Sequence, residues 1–238
     1  MKKIIMAGCL TGSVLFNSCN IIQHTPQEVL LDGYYRLTEP MEESKNVYLE
    51  WKQDEMFLIP VGENDNGIVD SLQAETMRFP ESLQEVDMEE LSLVKPSFDI
   101  DLITVLFKYR PSEPSLPKQM NSDLSGAIYT GYRRDYFRIG YHKVPTGEYR
   151  RQVSHIGYSA GVFAGFGATA VNPWVTSDQI SDEYEGVVFS AGFAGLVGLN
   201  HFTVGMAIGW DRLLDQNRRH WIYQNKPWVG ATLGINLN

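Results

Sequence analysis

The stretch Ser154–Ala170 reads SHIGYSAGVFAGFGATA. Ile156, Tyr158, Ala160, Val162, Ala164, Phe166 and Ala168 fall on one parity, and His155, Gly157, Ser159, Gly161, Gly165 and Gly167 on the other, with Phe163 as the large exception. Period-two alternation of this length predicts a β-strand with one large apolar face and one small face. Residues 187–199 repeat it, with Val187, Phe189, Ala191, Phe193, Val197 and Leu199 against Ser190, Gly192, Ala194 and Gly198. Residues 201–211 set Phe202, Val204, Met206, Ile208 and Trp210 against His201, Thr203, Gly205, Gly209 and Asp211. The last run sets Val229, Ala231, Leu233, Ile235 and Leu237 against Gly230, Thr232, Gly234 and Asn236. A further strand over Gly126 to Tyr141 is aromatic-rich, with Arg133, Arg134 and Asp135 in its middle.

The large face can meet a second sheet or lipid. Segments of about 10 residues cross a bilayer when tilted, and glycine on the small face suits a narrow closed interior. Aromatics near segment ends (Trp174, Tyr184, Trp210, Trp221, Tyr223 and Trp228) fit interfacial girdles. The links also alternate: long over Asn172 to Glu185, short at Leu199-Asn200-His201, long again over Arg212 to Pro227. Outer-membrane barrels have short periplasmic turns and long external loops. On that rule the Pro111–Ser125 segment is external, the Pro145–Arg150 link is periplasmic, and both termini are periplasmic. The expected fold is all-β, an antiparallel up-and-down transmembrane barrel of about eight strands.

The N-terminal half differs. From Cys19 to Ser125 there are 21 acidic and 8 basic residues, and from Gly126 to Asn238 there are 8 acidic and 10 basic. Residues 19–96 read as an acidic, less regular periplasmic region; either the runs near Val47 and Met56 supply the first two strands of an eight-stranded barrel, the favoured reading, or several chains share one barrel. Pro80-Glu81-Ser82-Leu83 could begin a short helix. Phe98 to Arg110 reads as a strand with Ile103, Val105, Phe107 and Tyr109 on one face, and residues 97–238 as the barrel. Glu81 to Glu90 lacks the ligand spacing of a calcium loop.

Residues 1–18 have the form of a secretory signal peptide: Lys2 and Lys3, then a short apolar run interrupted by Gly8, Gly12 and Ser13. Ser18-Cys19 resembles the cleavage box of bacterial lipoproteins, which implies lipidation at Cys19. The two cysteines, Cys9 and Cys19, leave one thiol in the mature chain, so no disulfide framework is expected. A net charge of −9 argues against a nucleic-acid partner.

The segments Phe98-Asp99-Ile100-Asp101-Leu102-Ile103-Thr104, Ala170-Val171-Asn172-Pro173-Trp174-Val175-Thr176 and Trp221-Ile222-Tyr223-Gln224-Asn225-Lys226-Pro227-Trp228 resemble small outer-membrane β-barrel proteins of the Bacteroidetes type. The resemblance implies an outer-membrane location and assigns no activity. The expected role is structural, partner-binding or passage of small solutes. Expected partners are outer-membrane lipid and lipopolysaccharide, with an envelope protein or self-association beside them. Arg212, Arg218, Arg219 and Lys226 are the candidate contacts to lipopolysaccharide phosphates.

No phosphate loop, zinc helix or nucleophile elbow is present, so no catalytic residue, cofactor or metal is expected. Two alternatives stand beside the barrel reading. One is a soluble lipocalin-like lipoprotein holding an apolar ligand, which needs the large faces inward. The other is a barrel-type lipid-ester hydrolase drawing on His155, Ser159, His201, Thr203 and Asp211, although His155 and Ser159 stand roughly 13 Å apart along a strand.

Overall fold

The computed structural model describes residues 30–39, 45–61, 76–85, 90–113, 117–199 and 202–236. The signal segment, Cys19, His201 and Leu237 lie outside the described residues. The strands are β1 (Gly33–Glu39), β2 (Lys45–Lys52), β3 (Glu55–Pro60), β4 (Met77–Phe79), β5 (Ser82–Leu83), β6 (Leu91–Arg110), β7 (Gln119–Asn121), β8 (Ser125–Lys143), β9 (Tyr149–Val171), β10 (Tyr184–Leu199), β11 (Phe202–Leu213) and β12 (Pro227–Asn236). All twelve join one antiparallel sheet, and among the described residues there is no α-helix.

Two sets of pairings share β6, β8 and β9. In the first, the order β6-β8-β9-β10-β11-β12 returns on itself, because β12 also pairs with β6, from Val229↔Tyr109 to Asn236↔Asp101. Each of these six strands therefore has a partner on both sides. In the second, β1 pairs with the start of β6, and β2, β3 and β4 follow in order. β5 comes two residues after β4 ends and pairs with the start of β9, at Ser82↔Arg150 and Leu83↔Tyr149. The Val47 and Met56 runs are strands, as expected, but they belong to this second set and not to the six.

The shared strands reverse polarity along their length. In the half nearest the Val144–Glu148 turn, β8 buries Phe137 and Ile139 and exposes Arg138 and His142. In the other half β8 buries Arg133 and Asp135 and exposes Ile128 and Tyr132. A strand reads apolar-in wherever water covers the outside, and only the half nearest the Val144–Glu148 turn follows that pattern. The first half closes over an apolar core of Tyr35, Leu37, Val47, Leu49, Met56, Leu58, Phe79, Leu91, Leu93, Phe137 and Ile139. Arg151 ties this core together: its guanidinium donates to the carbonyls of Phe79 and Asp54 and lies 4.6 Å from the Trp51 ring centroid.

Several sequence expectations change. β6 starts at Leu91, so the boundary drawn between residues 96 and 97 falls inside a strand. Ser82-Leu83 is strand, not helix, because β9 offers an unpaired edge there. Part of the proline-rich segment folds back as β7 against β6. The face assigned to Ile103, Val105, Phe107 and Tyr109 is split by a bulge at Leu106, where the register with β12 shifts between Ala231 and Thr232. Ile103 and Val105 are buried, whereas Phe107 and Tyr109 are exposed, and Lys108 and Arg110 turn inward instead. One extra residue in a strand re-aims every side chain beyond it.

Two outcomes test this architecture. Leu106→Ala keeps the bulge and leaves the circular dichroism spectrum and melting curve near wild type. Deleting Leu106 alone removes the bulge but keeps Val105, Lys108 and Arg110 inward and Phe107 outward, so cooperative unfolding is retained, whereas deleting Leu106 and Phe107 together drives Lys108 and Arg110 outward and abolishes it. The second test is alkaline. Tyr35 donates its hydroxyl to the Leu31 carbonyl at 2.7 Å. Burial, reinforced by the charges of Asp135 and Asp32, pushes its phenol up to about 12. The unfolded phenol ionises near pH 10. The folded chain thus holds a proton that the unfolded chain has lost, so this contribution is complete below pH 10 and disappears as pH rises towards 12, an effect of about 2–3 kcal/mol. In denaturant titrations from pH 9 to 12, Tyr35→Phe gives the shallower loss of stability.

Candidate functional site

The interior of the six-strand set is built in layers. At its centre Ile103, Val105, Ala127, Tyr129, Phe163, Ala194, Leu196, Ala207 and Trp228 form one buried cluster. Charged groups lie to either side of it. On the side of the long links, Asp211 of β11 accepts four kinds of donor. Lys108 Nζ sits 3.0 Å from both carboxylate oxygens, and Arg110 Nη2 is 2.5 Å from Oδ2. Ser190 Oγ donates at 2.6 Å and Trp228 Nε1 at 2.9 Å. Both cations and the carboxylate are at most 1% exposed. The Arg110 guanidinium continues outward onto the rings of Tyr223 and Trp221, 4.7 and 5.4 Å from their centroids. These two rings belong to a cap with Val171, Val175, Val188 and Leu213.

On the opposite side Arg133 bridges Asp135 at 2.7 Å and Asp99 at 3.5 Å. His155 Nε2 is 2.7 Å from Asp135 Oδ1, and its ring stacks on Phe137 at 4.6 Å. The glycines of the small face make room for this group. A Cβ on Gly157 or on Gly198 would stand 2.6 Å from Arg133 Nη2. Glycine is required at these positions by close approach, not by backbone angle.

The outside of the same six strands is apolar. Phe98, Leu102, Ile128, Tyr158, Val162, Phe166, Val187, Phe193, Met206, Ile208 and Ile235 are all exposed. Among the residues expected at the interfaces, Trp174 and Trp210 are exposed, 73% and 41%. Trp221, Tyr223 and Trp228 are corrections, at 3%, 2% and 1% exposure. Inside, Trp228 Nε1 donates to Asp211 and the Tyr223 hydroxyl to Gln119, while Lys108 lies over the Trp228 ring and Arg110 over the rings of Tyr223 and Trp221.

No family model, curated protein or solved structure matches the chain.

The candidate lipopolysaccharide contacts lie at the end where the long links gather. Arg212 is exposed at the end of β11. Arg218 and Arg219 are exposed in a short 3-10 turn whose first residue is capped by Asp215, which accepts from Asn217 N at 2.7 Å. Lys226 instead pairs with Glu113. The hydrolase constellation is dispersed. Ser159 Oγ shares a 2.6 Å hydrogen bond with Tyr129, His155 engages Asp135, Thr203 is buried in β11, and Asp211 holds Lys108 and Arg110 beyond the central apolar layer. Sequence reading missed Lys108, Arg110, Arg133 and Asp135 as an interior system. The signal available was parity: Arg133 and Asp135 alternate in phase with Gly131 and Ala127.

Replacing Asp211 by alanine leaves two buried cations without a counter-charge, and loss of one member of such a group costs about 3–5 kcal/mol. Ser190→Ala removes a hydrogen bond and costs about 1 kcal/mol. Equilibrium denaturation of both variants is expected to rank them in that order.

Proposed function

We propose that the six-strand set is a closed barrel embedded in the bacterial outer membrane, with the N-terminal half standing in the periplasm and a structural or partner-binding role. The observation that carries this reading is the reversal of polarity along β8. The outside turns apolar where the inside turns charged. A water-soluble fold has no use for exposed Phe98, Phe166, Phe193 and Met206 around buried Lys108, Arg110, Arg133 and Asp211.

The register supports closure. Following paired residues from Ile103 through Gly234, Thr203, Gly198, Gly157 and Asp135 leads back to β6 at Lys95, eight residues earlier. Such a stagger is what a ring of tilted strands requires. β11, with 12 residues, and β12, with 10, are long enough to span a bilayer at that tilt. The signal-like N-terminus, with Cys19 as the lipid attachment point, fits the same compartment. Even an eight-stranded barrel is just wide enough for side chains to fill. The packing of Tyr129, Phe163 and Trp228 across a narrower interior therefore favours a structural or binding role over passage of solutes.

The large faces point outward, the reverse of what a lipocalin-like binder of an apolar ligand needs. Met206 distinguishes the two environments directly, being 66% exposed on β11. In vesicles, Met206→Arg is expected to cost about 2–4 kcal/mol, the cost of an arginine on the lipid face of a barrel. On a water-exposed surface the same change stays within about 0.5 kcal/mol. Wild-type protein from the outer-membrane fraction is expected to resist carbonate washing and to shift in apparent size on boiling. Release of Cys19→Ala into the soluble periplasm would overturn the reading.

A further inference from the structure

At the level where the outer wall changes from polar to apolar, one cation faces outward among aromatic rings. Arg134 of β8 is exposed. Its strand neighbours on the same face are Tyr132 and Tyr136, its register partners are Pro96 and Tyr158, and Phe98 lies opposite Tyr132. The guanidinium carbon is 5.6 Å from the Tyr132 centroid, and Tyr132 and Tyr136 flank Arg134 on the same face of the strand. Tyr136 and Tyr158 meet edge to face at 5.9 Å. The contrast with its neighbour is informative. Arg133, on the buried face, has Asp99 and Asp135. Among the described residues no carboxylate pairs with Arg134, whereas the next outward arginine, Arg138, has Glu90 at 3.8 Å.

We infer that Arg134, with Tyr132 and Tyr136, binds the phosphodiester of a glycerophospholipid in the periplasmic leaflet; the inference rests on the membrane reading above. A guanidinium offers a planar fork of donors that matches two phosphate oxygens. Each tyrosine hydroxyl can accept from the arginine and donate to the anion at the same time. The exposed rings of Phe98, Tyr132 and Tyr158 supply apolar surface for the first part of an acyl chain, and tyrosine is favoured at this depth because one end of its side chain is apolar and the other polar. The phosphate takes the place of a carboxylate, which Arg134 lacks among the described residues. The site lies on the wall far from Arg212, Arg218 and Arg219, at the opposite end of the six strands.

The test uses the full chain in an uncharged detergent, titrated with phosphatidylglycerol and followed by native mass spectrometry. Membrane insertion is scored separately by the boiling-dependent gel shift. Wild type is expected to retain one lipid about tenfold more tightly than Arg134→Gln, with Arg134→Lys and the Tyr132→Phe/Tyr136→Phe double variant in between and Arg212→Gln equal to wild type. Millimolar inorganic phosphate is expected not to compete. Equal retention by Arg134→Gln in a protein that still shows the gel shift overturns the site and leaves the barrel standing. Competition by inorganic phosphate overturns the lipid as the source of the phosphate. Absence of the gel shift in wild type overturns both.

Discussion

The Asp211 carboxylate is the interaction on which the six-strand set turns. Its donors come from β6, β10 and β12, while Asp211 itself is on β11. The β12–β6 pairing is where the last strand meets the first of the set, and it joins residues more than a hundred positions apart in the chain. A slip of one residue there would carry Lys108 and Arg110 to the apolar exterior and leave Asp211 unpaired inside. Backbone pairing alone tolerates such slips. A buried carboxylate that needs two particular cations does not, so the charge group fixes the register of the seam. The narrow interior makes this demand strict, because water cannot follow the charges in and replace a missing partner.

The same reasoning explains the glycines. Interior charge requires long side chains, and long side chains in a narrow space require opposite positions with none. Gly157 and Gly198 frame Arg133 on two sides, and Gly209 faces Trp228 and Phe163. Small residues on the buried parity are therefore the complement of a few large polar ones, not a sign that the interior is empty. Below the polarity reversal the pattern returns to that of an ordinary water-soluble core, and there the three shared strands bury Leu91, Leu93, Phe137 and Ile139.

Much of this was legible in the sequence. The runs after residue 154 alternate so regularly that strand, face and order could be read directly, and each large face is indeed the exposed one. What stayed hidden has physical causes. The Leu106 bulge leaves no mark, because the apolar residues on either side continue to alternate through it. The inward aromatics were misplaced because a tryptophan near a strand end suits an interfacial girdle and a capped interior equally well. Parity held the answer for Trp228, which is in phase with Gly230, Thr232 and Gly234. For Trp221 and Tyr223 no such phase exists, since they lie between strands and their burial depends on Arg110, more than a hundred residues earlier. β1 to β5 were faint because short strands in an acidic region give little periodic signal.

The sharing of β6, β8 and β9 also separates the pairings by their distance along the chain. The pairings of β1 to β5 with β6 and β9 involve only residues that precede Gln152, so the first half of the molecule is complete in principle while the remainder of the chain is still unpaired. The seam joins residues 101–109 to 229–236 and has to wait for the final strand. Closing a loop of that length is the slow, entropically demanding step. The finished half holds β6, β8 and β9 side by side, already in register, as the template on which β10, β11 and β12 are added. With three strands in common, the two halves are joined by continuous backbone pairing and not by a hinge or a linker.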